Sequence, residues 1–171
     1  MRHILRNAWI SGALVWMAFF TGSACTVGAA ELDQPWRLWA AVGGGEASHG
    51  AAVMGELVFQ KGPHQISARA MGQDDPYDSS GHPTGEIGLL YGRGIMGRHG
   101  HASLSAGLAV TDTDMDSEEG MTLGVPLVAE VGVRIASFLG MGGQLFANLN
   151  PNDSYSGLTL FLQFGYMPAS H

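Results

Sequence analysis

The sequence predicts an all-β fold, a single eight-stranded antiparallel up-and-down barrel. Three observations carry this. After residue 35 the chain reads as eight short segments in which apolar and polar residues alternate, the period of a strand with two unlike faces. The joints between segments run long, short, long, short, long, short, long, the rhythm of a barrel that crosses a membrane with tight turns on one side and loose loops on the other. No later run of eighteen apolar residues occurs, so no helix is expected to span a bilayer.

Residues 1–30 are expected to lie outside the fold. Arg2 and Arg6 give a positive start, Gly12 to Phe20 is an apolar run, and the small residues Val27-Gly28-Ala29-Ala30 close it. That is the pattern of a secretory signal peptide cleaved after Ala30; the competing reading is a membrane anchor. Cys25 is the only cysteine, and Gly22-Ser23-Ala24-Cys25 loosely resembles a lipoprotein cleavage box. Either route leaves the exported domain, 31–171, without a disulfide. That domain has 141 residues, a single-domain length, with six basic and fifteen acidic residues and 23 of the 26 glycines. The acidic balance argues against a nucleic-acid partner, which needs a basic face. No cofactor motif is present.

The first predicted strand, Trp36 to Val42, opens on two tryptophans and stops at the glycines that follow. The second, Ala51 to Gln60, sets Val53, Leu57 and Phe59 against Glu56 and Gln60. Lys61-Gly62-Pro63 turns the chain into the third, His64 to Met71. The fourth is Glu86 to Arg93 and the fifth His99 to Val110. In the sixth, Gly124 to Ile135, the row Val125, Leu127, Ala129, Val131, Val133 and Ile135 opposes Pro126, Val128, Glu130, Gly132 and Arg134. Ala136-Ser137 leads to the seventh, Phe138 to Asn148. In the eighth, Gly157 to Tyr166, Leu158, Leu160, Leu162, Phe164 and Tyr166 share one face. A sheet with lipid on one side and a filled interior on the other reads this way, although a soluble two-layer sandwich also alternates.

The less apolar faces carry Glu56, Arg69, Glu86, Glu130 and Arg134. Charge inside a small barrel is costly unless paired, and eight strands enclose only enough room for side chains. An internal charge cluster is therefore expected rather than a channel, with Gly88, Gly92, Gly132 and Gly142 making room for it. The long connections, 43–50, 72–85, 111–122 and 149–156, hold ten of the fifteen acids: Glu46, Asp74, Asp75, Asp78, Asp112, Asp114, Asp116, Glu118, Glu119 and Asp153. The short turns hold none, so the two ends are expected to face different compartments, with the acidic loops outward. Trp36, Trp39, Tyr91, Phe138, Phe164 and Tyr166 fall near strand ends, where interfacial aromatic girdles lie.

The last strand, from Tyr155 to Tyr166, has a glycine followed by alternating apolar and aromatic residues; Met167 to His171 follow it. With the loop rhythm, this resembles the eight-stranded outer-membrane barrels of Gram-negative bacteria, the group of OmpX and the membrane domain of OmpA. The resemblance implies an outer-membrane location, contact with outer-membrane lipid and delivery by the barrel-assembly machinery. It implies no activity and names no external ligand.

Two constellations are candidates for chemistry. His99, His101, Ser103 and Ser105 alternate on the fifth strand. His101 with Ser103 is similar to the catalytic pair of outer-membrane lipid A deacylases, which would make His101 the base and Ser103 the nucleophile; Leu104 stands where that pattern has asparagine. Glu86 or Glu130 could orient the base. His99 and His101 are too few for a confident metal site. Asp112, Asp114 and Asp116 begin like a calcium loop, but Ser117 and Leu123 occupy the places where an EF-hand needs glycine and glutamate. The leading expectation is a non-enzymatic barrel with a structural or surface-contact role. The alternatives are a lipid A esterase and a soluble periplasmic barrel binding a small apolar ligand.

Overall fold

The computed structural model describes residues 36–48, 50–74, 84–112, 121–151 and 154–166. They form β1 (Trp36–Ala47), β2 (Gly50–Lys61), β3 (His64–Asp74), β4 (Thr84–Met96), β5 (Gly100–Asp112), β6 (Met121–Ala136), β7 (Leu139–Leu149) and β8 (Tyr155–Tyr166). Each strand pairs antiparallel with its neighbours in sequence, and β1 pairs with β8 to close the barrel. Closure leaves no unpaired sheet edge. The predicted signal segment, Cys25, Asp114 and Asp116 lie outside the described residues.

The eight-stranded barrel agrees with the fold read from the sequence. Most strands run longer than their alternation suggested, and one connection differs in kind. The segment 43–50, expected as a long loop, is largely strand: β1 continues to Ala47 and β2 starts at Gly50. The run Gly43-Gly44-Gly45 has no side chains to alternate, which hid the strand. Its backbone still pairs with β2 and with β8. A Cβ at Gly43 would lie 2.8 Å from Phe161 Cβ, and one at Gly45 would lie 2.7 Å from Thr159 Cα. Glycine there permits a close approach of the first and last strands. Glu46 is therefore an exposed strand residue, not a loop residue.

The alternation places the two faces on opposite sides of one wall. Outside stand Val53, Leu57 and Phe59 on β2, Ile87 and Leu89 on β4, Val131 and Val133 on β6, and Leu158, Leu160 and Leu162 on β8, all exposed. Inside stand Arg37, Trp39, Gln60, Gln65, Arg69, Gln144, Asn148, Thr159 and Gln163, all almost fully enclosed. Trp39, expected in a girdle, belongs to this inner set at 1% exposure, because it shares parity with Arg37 and Ala41. The other five aromatics of that expectation face outward, and Phe59 joins them. Trp36 and Tyr166 are in ring contact at 5.0 Å between centroids.

Turns and small residues fix the geometry. Gly62 has φ of 59° in the turn between β2 and β3, the left-handed region that L side chains avoid. The Gln60 side-chain amide donates to the Gly62 carbonyl at 3.1 Å from inside the barrel. Gly132 faces the His101 ring, and its added Cβ would stand 2.9 Å from Nδ1. Gly132→Ala should therefore destabilise the folded barrel by about 1–3 kcal/mol, the usual cost of overpacking. Denaturant titration of the refolded protein reads this; an unchanged midpoint would show that the ring moves aside freely.

Candidate functional site

The polar lumen holds two hydrogen-bonded groups, and Glu56 interacts electrostatically with charges of both, Arg69 in one and Glu130 and His101 in the other. The first lies toward the loop end. Arg69 Nε is 3.8 Å from Glu86 Oε1, with both side chains 1% exposed. Arg69 Nη2 donates to Met71 Sδ at 2.8 Å, and its guanidinium lies 4.9 Å from the centre of the Phe146 ring. Asn148 Nδ2 donates to Glu86 Oε2 at 2.7 Å and to Thr111 Oγ1 at 3.0 Å. Tyr155 OH also donates to Glu86 Oε2. Glu86 thus receives an opposite charge and two neutral donors, the support a buried carboxylate needs. Glu56 is the cross-strand partner of Arg69 and is also buried. Gly124 leaves the space that Asn148 fills.

The second group is His101 with Glu130. Nε2 and Oε1 are 2.5 Å apart, with side chains 3% and 1% exposed. The Trp39 ring covers the imidazole at 5.5 Å between centroids. Glu130 is one of the two carboxylates expected near His101. Ser103 is Glu130's partner across the strands and faces the lumen. Among the described residues no hydrogen bond joins His101 to Ser103, since the imidazole is turned to Glu130.

Of the five residues expected in one internal cluster, Glu56, Arg69, Glu86 and Glu130 are buried in the lumen. Arg134 stands apart from Arg69 and Glu86. It is half-buried at the turn end, where its guanidinium donates to the Arg98 carbonyl. His99 is exposed in the turn before β5, while His101 is enclosed, so the two do not share a metal-binding face. Asp112 ends β5 half-buried, and among the described residues no group of three or more metal-ligating side chains is assembled. The sequence reading missed Arg37, Asn148 and Tyr155. Alternation with the outward Trp36 and Leu38 could have found Arg37; Asn148 and Tyr155 sit at strand ends where alternation is shortest.

An antiparallel barrel of eight strands, apolar without and largely polar within around an apolar cluster that includes Met54, Leu90 and Phe161, is thus in place. The chain has the fold of the small outer-membrane barrels. It is similar to the N-terminal β-barrel domain of OprF from Pseudomonas aeruginosa, with a TM-score of 0.62 and 11% identity over 76% of this chain and 97% of that one. It is also similar to neisserial surface protein A, with a TM-score of 0.59 and 11% identity over 77% of this chain and 97% of that one. No protein-family model and no curated protein matches the sequence. At such identity the outer-membrane barrel fold is what is shared; the lumen residues of this chain are argued from its own geometry.

Proposed function

We propose that this chain is an integral outer-membrane protein with a filled lumen. Its role is structural or one of surface contact through its acidic loops, without catalysis. One observation carries the reading: the polarity of the wall is inverted relative to a water-soluble protein. Among the described residues, twenty-eight large apolar side chains stand exposed on the outside. Soluble monomers rarely expose contiguous apolar patches above a few hundred Å², whereas lipid tolerates such a wall when the strands are paired around a closed barrel. A soluble carrier of an apolar ligand would need a polar outer wall, and this wall is apolar. An esterase of the expected kind would use His101 as the base for Ser103, and among the described residues the imidazole is turned to Glu130 instead. The outward direction of the acidic loops follows from short turns lying on the periplasmic side.

The test is heat modifiability. The full-length chain is expressed in a Gram-negative host and the outer-membrane fraction is run on a detergent gel with and without boiling. A band in that fraction that changes mobility on boiling is expected. An unshifted band in the soluble periplasmic fraction would overturn the proposal.

A further inference from the structure

The turn end differs from the loop end in two independent ways. The first is charge. Lys61, Arg93 and Arg98 stand on its outer surface, and His64 with them. Among the described acids, Glu56, Glu86 and Glu130 are in the lumen, while Glu46, Asp74 and Asp112 lie at the loop end. The second is shape. The outward aromatics Trp36, Phe59, Tyr91, Phe138, Phe164 and Tyr166 all lie in the turn half of the wall. The loop half presents Val53, Ile87, Val110, Met121, Leu123 and Leu158 instead. The barrel therefore has one aromatic girdle among its described residues, with cations directly beside it.

Strand register gathers those cations. Trp36 is opposite Lys61, Lys61 opposite His64, and His64 opposite Arg93, so the four form one row across β1 to β4. Lys61 and His64 are exposed, and Arg93 shares the outward parity of Leu89 and Tyr91. Neighbouring strands are about 4.8 Å apart, so Lys61, His64 and Arg93 span roughly 10 Å. His64 Nδ1 is 2.6 Å from Tyr91 OH. With that hydroxyl donating, Nε2 carries the ring hydrogen and is a donor even when the imidazole is neutral. The adjoining row, Phe59, Ile66 and Tyr91, is apolar and exposed.

We propose that Lys61, His64 and Arg93 form a binding site for the headgroup of an anionic phospholipid in the leaflet at the turn end. The cations meet the phosphate, the His64–Tyr91 pair adds a fixed donor, and the acyl chains lie on the apolar row beside them. Charge selects an anionic over a zwitterionic lipid, and the adjoining apolar row selects a lipid over a free phosphate. The proposal rests on the membrane reading above.

The test uses the protein expressed from the full-length chain and purified from membranes in a neutral detergent. It is titrated with phosphatidylglycerol, with phosphatidylcholine of the same chains, and with glycerol 3-phosphate. Bound molecules are counted by native mass spectrometry, and a cold gel of each sample reports folding. Retention of phosphatidylglycerol over phosphatidylcholine is expected, with little effect of glycerol 3-phosphate. Lys61→Gln and Arg93→Gln should each lower that retention roughly fivefold, at about 1 kcal/mol per cation. Lys61→Arg should keep it, and Arg98→Gln, outside the row, should leave it unchanged. Equal retention of the two lipids, or an unaltered double variant that still folds, would overturn the site. Competition by glycerol 3-phosphate would replace it with a free-phosphate site. A wild-type protein that shows no mobility change on boiling would instead sink the membrane reading.

Discussion

Arg69→Ala will destabilise the folded barrel by about 3–5 kcal/mol, the cost of breaking a buried ion pair from one side. The guanidinium is enclosed with Glu86, Met71 Sδ and the Phe146 ring around it. Removing it leaves the Glu86 carboxylate, and Glu56 across the strand, without their nearest cation in a space closed to bulk water. Asn148 and Tyr155 continue to donate to Glu86, so the loss falls short of that for an isolated charge. Arg69→Met combined with Glu86→Gln should recover much of the stability, because a pair exchanged for neutral groups of similar volume is often near neutral. Urea unfolding of the protein refolded into phospholipid vesicles measures both. Equal stability of wild type and Arg69→Ala would show that the pair contributes nothing to closure.

Leu89→Arg will have an effect that depends on the surroundings. Leu89 is at mid-height on β4, outward and 67% exposed. On a water-soluble surface such a change lies within about 0.5 kcal/mol of neutral. On the lipid face at the bilayer midplane it costs about 2–4 kcal/mol. The folded fraction in vesicles should fall accordingly, while Glu46→Arg near the loop rim should cost much less, since the penalty fades toward the interface. A neutral Leu89→Arg in vesicles would place water, not hydrocarbon, against this wall.

Eight strands and their faces were legible because side chains of opposite kind alternate along them. In β6 and β8 the apolar row is unbroken, and the parity of every residue follows from it. In β1 the signal fails where glycine replaces side chains, so the strand outlasts its own pattern by five residues. Trp39 was misplaced for a related reason: an aromatic near a strand end suggests a girdle, but parity decides its side, and Arg37 and Ala41 fix that parity inward.

The lumen was legible by composition and not by pairing. Glu56, Arg69, Glu86 and Glu130 announce themselves as charges among apolar neighbours. Which of them meet depends on the stagger between strands, and single-strand alternation carries no stagger. Thus Glu86 with Asn148 and Tyr155, and His101 with Glu130, emerge only from the closed register. The row of Lys61, His64 and Arg93 was hidden for the same reason, since its members come from three strands.

The seam between β1 and β8 has a kinetic consequence. Its partners, Leu38 with Tyr166 and Ala47 with Gly157, come from opposite ends of the described chain. Every other pairing joins strands that follow one another, and those hairpins can form locally. The seam can zip only after the last strand has been made, and contacts so distant in sequence form slowly because the whole intervening loop must be ordered first. Until then two long strand edges stay open, one of them nearly bare where Gly43 to Gly45 will meet β8. A synthesis that stops before β8 therefore yields no smaller barrel, only a ribbon with two unsatisfied margins that invites pairing with other chains.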